Sequence, residues 1–232
     1  CLGLGYKRVL RLWKGDAEQR GSLNRVLRAL REHSLAQQPS GFAPEGIVSL
    51  LMAHAMAKEP LDRRLLALLQ ARATATMPSF TPQGVGSLLW ALAVLREPCS
   101  RELLKAVRAR CVEIAPSLDA RALANVLWAF AKLREPAGPE LLGAARARAL
   151  EVATDFNAQG LATLLWAFAA MKEPPGEALL GCVRERLLWT LGDLSAQGIA
   201  NVMWAFATLG EPLGRELLEG IRERAVWRAS SF

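Results

Sequence analysis

The chain has little of what catalysis usually draws on. It holds two histidines, His33 and His54, and a single tyrosine, Tyr6. Four cysteines (Cys1, Cys99, Cys111 and Cys182) form no CxxC pair and are too sparse for a disulfide framework, which favours a reducing compartment. No Cys/His spacing suits zinc, and no glycine-rich phosphate loop occurs; Gly3 and Gly5 belong to no complete fingerprint. Lacking an acid–base or nucleophile constellation, the sequence predicts no enzyme activity, no cofactor and no small-molecule substrate. Long apolar runs are missing too. The run Leu88 to Leu95 falls well short of the roughly 20 residues that cross a bilayer, so no transmembrane helix is expected. A hydrophobic content of 52% nevertheless excludes intrinsic disorder. The chain opens on Cys1 rather than Met and shows no signal-peptide pattern, so it is expected to be a piece of a longer protein.

What the chain does have is a repeat. Trp90, Trp128, Trp166 and Trp204 stand 38 residues apart, with Met52 in the preceding slot. Pro60, Pro98, Pro136, Pro174 and Pro212 keep the same step, as do Leu-Leu pairs beginning at Leu65, Leu103, Leu141, Leu179 and Leu217. Arg72, Arg110, Arg148, Arg186 and Arg224 form a further column. Five copies run without insertion over 42–232, and a degenerate copy containing Trp13 covers 1–41.

Each copy reads as two helices. Thr81, Asp119, Asn157 and Ser195 are good N-caps for a helix A, with Ala43 the exception. Pro98 and its equivalents end that helix, and Ser100, Gly138, Gly176 and Gly214 open a helix B. β-branched residues are few while alanine and leucine abound, so strands are not expected. The predicted fold is all-α: a right-handed α-solenoid of helix-turn-helix repeats in one continuous array.

At 100° per residue, helix A divides into arcs. Val85, Leu88, Leu89, Leu92 and Leu95 form a core face, matched by Leu123, Val126, Leu127, Phe130 and Leu133. Gly84, Ala91, Gly86 and Ala93 flank it, and such small residues let neighbouring A helices approach closely. The arc opposite the core has four slots. The first reads Glu45, Gln83, Arg121, Gln159, Gln197, and the second Ser49, Ser87, Asn125, Thr163, Asn201. The third holds Met52, then Trp90, Trp128, Trp166 and Trp204; the fourth varies as Met56, Val94, Lys132, Ala170, Thr208. Amides and hydroxyls can read base edges, and an indole can stack on a base for about 1–3 kcal/mol. The same tryptophans could instead cover the seam between adjacent A helices, and the polar slots could be a solvated face.

A net charge of +7 and a pI near 9.7 favour an anionic partner; arginine supplies 23 of the 29 basic residues. Only Arg121 and Lys132 fall on the arc. Arg108, Arg146, Arg184 and Arg222 are expected to point outward from helix B as a solvated face, and Arg110 and its equivalents to pair with the glutamates Glu59, Glu97, Glu135, Glu173 and Glu211. Lys58, Arg96, Arg134 and Lys172 close helix A, where a cation suits the helix dipole. His54 takes a core slot that other copies fill with Leu or Phe, so a structural role is expected.

The stretches QGLATLLWAFAAMKEP (159–174) and QGIANVMWAFATLGEPLGRELL (197–218) resemble the octotricopeptide repeats of algal organelle RNA-maturation factors. They are also similar to the helical repeats of FAST-kinase-like and RAP-domain proteins and of the RNA-editing substrate-binding complex subunit 6 type. The resemblance covers nearly the whole chain. It departs where the Pro-Pro-Pro-Glu-Trp motif of the octotricopeptide group is reduced to Glu-Pro, and it brings no kinase motif. It implies binding of single-stranded mRNA or rRNA in a mitochondrion, with the chloroplast as the alternative, to serve RNA processing, stability or translation. Carried onto this chain, the implied contacts are Ser49, Gln83, Ser87, Trp90, Arg121, Asn125, Trp128, Lys132, Gln159, Thr163, Trp166, Gln197, Asn201, Trp204 and Thr208. A scaffold for other proteins and a structural rRNA-binding subunit of an organellar ribosome are the alternatives.

Overall fold

The structure, a computed structural model, describes residues 42–229; the degenerate copy expected over 1–41 lies outside them. The described residues are all-helical, with no strand among them. Ten α-helices alternate as A and B. They are α1 (Pro44–Ala57), α2 (Arg63–Thr76), α3 (Pro82–Leu95), α4 (Arg101–Ile114), α5 (Ala120–Leu133), α6 (Pro139–Glu151), α7 (Ala158–Met171), α8 (Glu177–Thr190), α9 (Ala196–Leu209) and α10 (Arg215–Ala229). The chain divides into two compact units, Cys1–Cys111 and Val112–Phe232. In the first, α1 packs on α2 and α3; in the second, α7 packs against both α5 and α9, and α8 against α6 and α10.

The A helices begin where the cap chemistry places them. Thr81, Asp119, Asn157 and Ser195 each accept a hydrogen bond from the backbone N–H three residues on, at 2.7 to 3.1 Å. Ala43 provides no side-chain cap, and Pro44 at the first helical position needs none for its own nitrogen. The glycines Gly84, Gly160 and Gly198 belong to this motif rather than to helix–helix contact. A Cβ on Gly160 would meet Phe156 Cδ1 at 3.1 Å and Asn157 Oδ1 at 3.3 Å, both in its own N-terminal turn. The flank expected to admit a neighbouring helix is therefore carried by the buried alanines Ala91, Ala93, Ala129 and Ala167.

The core face is as expected for Val85, Leu88, Leu89 and Leu92, all buried, as are Leu123, Val126, Leu127 and Phe130; Leu95 and Leu133 are half-buried at the helix ends. Phe130, Phe168 and Phe206 occupy one slot on successive A helices of the second unit, each burial contributing about 1.5–3 kcal/mol. His54 fills a core position and its Nδ1 lies 3.3 Å from the Glu59 carbonyl. On α9, Met203 is 44% exposed, whereas Leu165 at the matching place on α7 is 1% exposed beneath α9.

Arginines hold each hairpin closed, and not as the sequence suggested. From Arg72 to Arg186, each arginine of the column donates to a backbone carbonyl. Arg72 Nε donates to the Phe42 carbonyl at 2.9 Å, Arg110 to Phe80, Arg148 to Leu118 at 2.8 Å and Arg186 to Phe156 at 3.0 Å. Each acceptor lies in the extended segment just before an A helix, on a buried apolar residue. Arg224 departs, donating to Gly192 instead. The other arginine column, expected to be solvated, is also engaged. Arg146 donates to the Pro174 carbonyl through Nε and Nη2 and lies 3.7 Å from Glu173; Arg184 does the same with Pro212, 3.5 Å from Glu211. Their guanidiniums lie over the Phe168 and Phe206 rings. The Arg–Glu pairing exists, but it uses this second column and joins one B helix to the next Glu-Pro segment. Arg222, by contrast, is exposed as expected.

Deleting the Arg148 guanidinium would leave the Leu118 carbonyl without its donor. Arg148→Met should therefore lower urea-unfolding stability by about 1–3 kcal/mol. Glu151→Gln, which removes only the exposed partner 2.8 Å from Arg148, should change it by less than about 0.5 kcal/mol.

Candidate nucleic-acid interface

The polar arc of helix A follows from its caps and core. With the apolar face fixed inward, the slots at i, i+4, i+7 and i+11 stay at the surface. Gln83, Arg121, Gln159 and Gln197 are exposed, and Ser49, Ser87, Asn125, Thr163 and Asn201 half-buried. Trp90, Trp128 and Trp166 are half-buried, and Trp204 is 45% exposed. Lys132 and Thr208 in the fourth slot are exposed.

Within the first unit, the structure brings Ser49, Gln83 and Ser87 together. They line a groove of about 270 Å³ between α1 and α3, with Glu45, Val48 and Met52. Within the second unit it pairs Trp166 with Trp204, ring centroids 6.2 Å apart and planes tilted by 31°. Such a pair is attractive in itself, and its spacing leaves no room for a base between the rings. Bases could reach only the outward surface of each indole.

Side chains of the polar arc also bond within their own helix. The Thr163 hydroxyl donates to the Gln159 carbonyl at 2.8 Å, which leaves its lone pairs as acceptors. Gln197 donates from Nε2 to Asn201 Oδ1 at 2.8 Å, which orients the Asn201 amide N–H donors and the Gln197 carbonyl oxygen.

Sequence reasoning passed over three residues. Gln70 is buried, donates to the Pro98 carbonyl at 2.7 Å and accepts from the Ser100 N–H at 2.6 Å. It stands in the Arg108 column, and that register was the available signal. Glu45 was read as one slot of the arc but not as a contact, although it lines the α1–α3 groove. Trp189 lies off the 38-residue tryptophan column, is 78% exposed on α8, and edges a cavity of about 210 Å³ with Cys182, Glu185 and Arg186.

Among the described residues no group of three His, Cys, Asp or Glu side chains could hold a metal, and no helix is long and apolar enough to cross a membrane. Compared with known proteins, the chain matches no family model and no curated protein.

Of the titratable groups, Cys111 stands out. Burial pushes its thiol from 9.0 up to about 12, against a smaller opposite effect of Arg110. Since the unfolded thiol ionises first, the native state loses stability as pH rises from about 9 towards 12. Urea melts across that range should show a steeper fall for the native protein than for Cys111→Ala. The native thiol should resist iodoacetamide at neutral pH until the chain unfolds.

Proposed function

We propose that this chain binds single-stranded RNA along the polar arc of its A helices, as part of a right-handed α-solenoid of 38-residue repeats. The observation that carries the reading is the exposure of the tryptophan slot. Large aromatics elsewhere on the A helices, such as Phe130, Phe168 and Phe206, are buried, whereas the indoles stand half-exposed among amides and hydroxyls. A flat apolar face beside rotatable donors and acceptors is what unpaired bases can use. The resemblance to octotricopeptide and FAST-kinase-like repeats supplies the setting: an organelle, with the mitochondrial matrix first and the chloroplast second, and a role in mRNA or rRNA processing, stability or translation.

Phosphate neutralisation has a minor part in this reading. Arg121 and Lys132 are the arc's basic residues, while Arg72, Arg110, Arg146, Arg148, Arg184 and Arg186 bond to carbonyls that brace the helix pairs. Affinity should come from stacking and base-edge bonds.

A protein scaffold is the second reading, favoured by Trp189 and by Leu150 and Leu188, which are exposed on B helices. Fluorescence anisotropy separates the two. Single-stranded RNA should bind in preference to duplex, with a log–log salt slope no steeper than about −2, as two phosphate contacts would give. Trp204→Ala should weaken that binding about 5- to 100-fold at little cost in melting temperature, because the indole is already 45% exposed. Absence of RNA binding, or a loss of fold in Trp204→Ala that accounts for the whole effect, would sink the RNA reading.

A further inference from the structure

The α1–α3 groove differs from the rest of the arc in one chemical respect. Its first-slot residue is Glu45, where the other copies carry Gln83, Arg121, Gln159 and Gln197. A carboxylate only accepts hydrogen bonds, whereas a carboxamide both donates and accepts. Glu45 also repels phosphate, so a nucleic-acid strand cannot lay its backbone there. The groove's volume, about 270 Å³, lies just below the roughly 300–1,000 Å³ of pockets that hold drug-sized ligands. It suits a single planar base. Val48 and Met52 line it with apolar surface, the Met thioether being a favourable neighbour for an aromatic ring. Ser49, Gln83 and Ser87 offer groups that can turn to donate or accept. The third slot here holds methionine where later copies hold tryptophan, so hydrogen bonding has a larger share in this subsite than stacking.

Resting on the single-stranded RNA reading, we infer that this groove is a subsite for an amino-bearing base, taking cytosine in preference to uracil, with Glu45 as the selecting residue. The Glu45 carboxylate accepts from the exocyclic amino group of cytosine. Uracil presents a carbonyl oxygen at the same place, which faces the carboxylate with no proton between them. Both acceptors then lose their solvent bonds without replacement. The two pyrimidines are alike in size, so the hydrogen-bonding edge decides between them, and at the place facing Glu45 cytosine offers an amino donor where uracil offers a carbonyl acceptor.

The experiment compares oligocytidine and oligouridine dodecamers by anisotropy at neutral pH, using the whole chain and its Glu45→Gln variant. Circular dichroism confirms that the variant is folded; Glu45 is exposed in the first turn of α1, and no buried contact is removed. The native chain should favour oligocytidine, and Glu45→Gln should cut the cytidine-to-uridine affinity ratio by about 5-fold or more, since glutamine serves either base. If both RNAs bind and the ratio is the same in the variant, the subsite assignment is overturned and the RNA reading stands. If neither oligomer binds the native chain, the RNA reading fails and takes the subsite with it.

Discussion

The bond on which each hairpin depends runs from an arginine late in helix B to the carbonyl just before helix A. That carbonyl belongs to a buried apolar residue, Phe42, Phe80, Leu118 or Phe156, whose side chain is part of the core. Burying the side chain buries the adjoining backbone, and a buried carbonyl needs a donor. The segment is extended, so the carbonyl is outside the hydrogen-bonding pattern of the helix ahead. The guanidinium supplies the donor on a stem long enough to cross between helices. One bond therefore fixes the end of helix B to the start of helix A. The capping residue follows at once, and with it the rotation of helix A that turns the polar arc outward.

A second set of bonds fixes the other end of helix A. Lys58, Arg96, Arg134 and Lys172 sit at φ of 55 to 59°, and Gly210 takes the same place at 70°. This left-handed residue ends the helix, and the next N–H turns back to bond a carbonyl of the last turn, as Glu173 does to Phe168 at 3.0 Å. The proline that follows cannot extend the helix, and its carbonyl is left over. Arg146 and Arg184 take up that carbonyl from the preceding B helix, while the glutamates beside the prolines hold the same guanidiniums. At Glu173-Pro174 and Glu211-Pro212 the proline exposes an acceptor and the glutamate balances the arginine that fills it, whereas at Pro98 the uncharged Gln70 takes the carbonyl.

Local chemistry was legible in the sequence, and interactions across elements were not. The caps at Thr81, Asp119, Asn157 and Ser195 could be read because a cap concerns a residue and the N–H three places on. The core slots, including His54, followed from helical period alone. The partners of the two arginine columns could not be read in this way. Arg146 and Arg148 lie two residues apart on one helix, and only the packed arrangement shows that one reaches forward to Pro174 and the other back to Leu118. Gln70 shows the same limit: it fills the latch position of Arg146 with an uncharged side chain, so a search for charge passes over it. The glycines misled for a related reason. Their spacing suggested a helix–helix contact, but the atoms that a Cβ at Gly160 would meet are those of Phe156 and Asn157, one turn away in the same chain.

The tryptophan column was open to two readings in the sequence, seam packing or base stacking, and the Trp166–Trp204 geometry makes them compatible. An indole wholly in solvent would have to give up rotamer freedom on meeting a base, a cost of about 0.5–1.5 kcal/mol for an immobilised side chain. An indole wholly in the core would offer no surface. With centroids 6.2 Å apart and planes tilted by 31°, Trp166 and Trp204 hold each other while part of each ring remains in solvent. Seam packing then prepares the platform that stacking needs. On the RNA reading proposed above, the same spacing excludes intercalation between Trp166 and Trp204, so a base would lie on the outer surface of these two rings, beside the amides and hydroxyls of the same two helices. Selectivity would come from those neighbours, whose chemistry changes from copy to copy while the tryptophan recurs from Trp90 to Trp204.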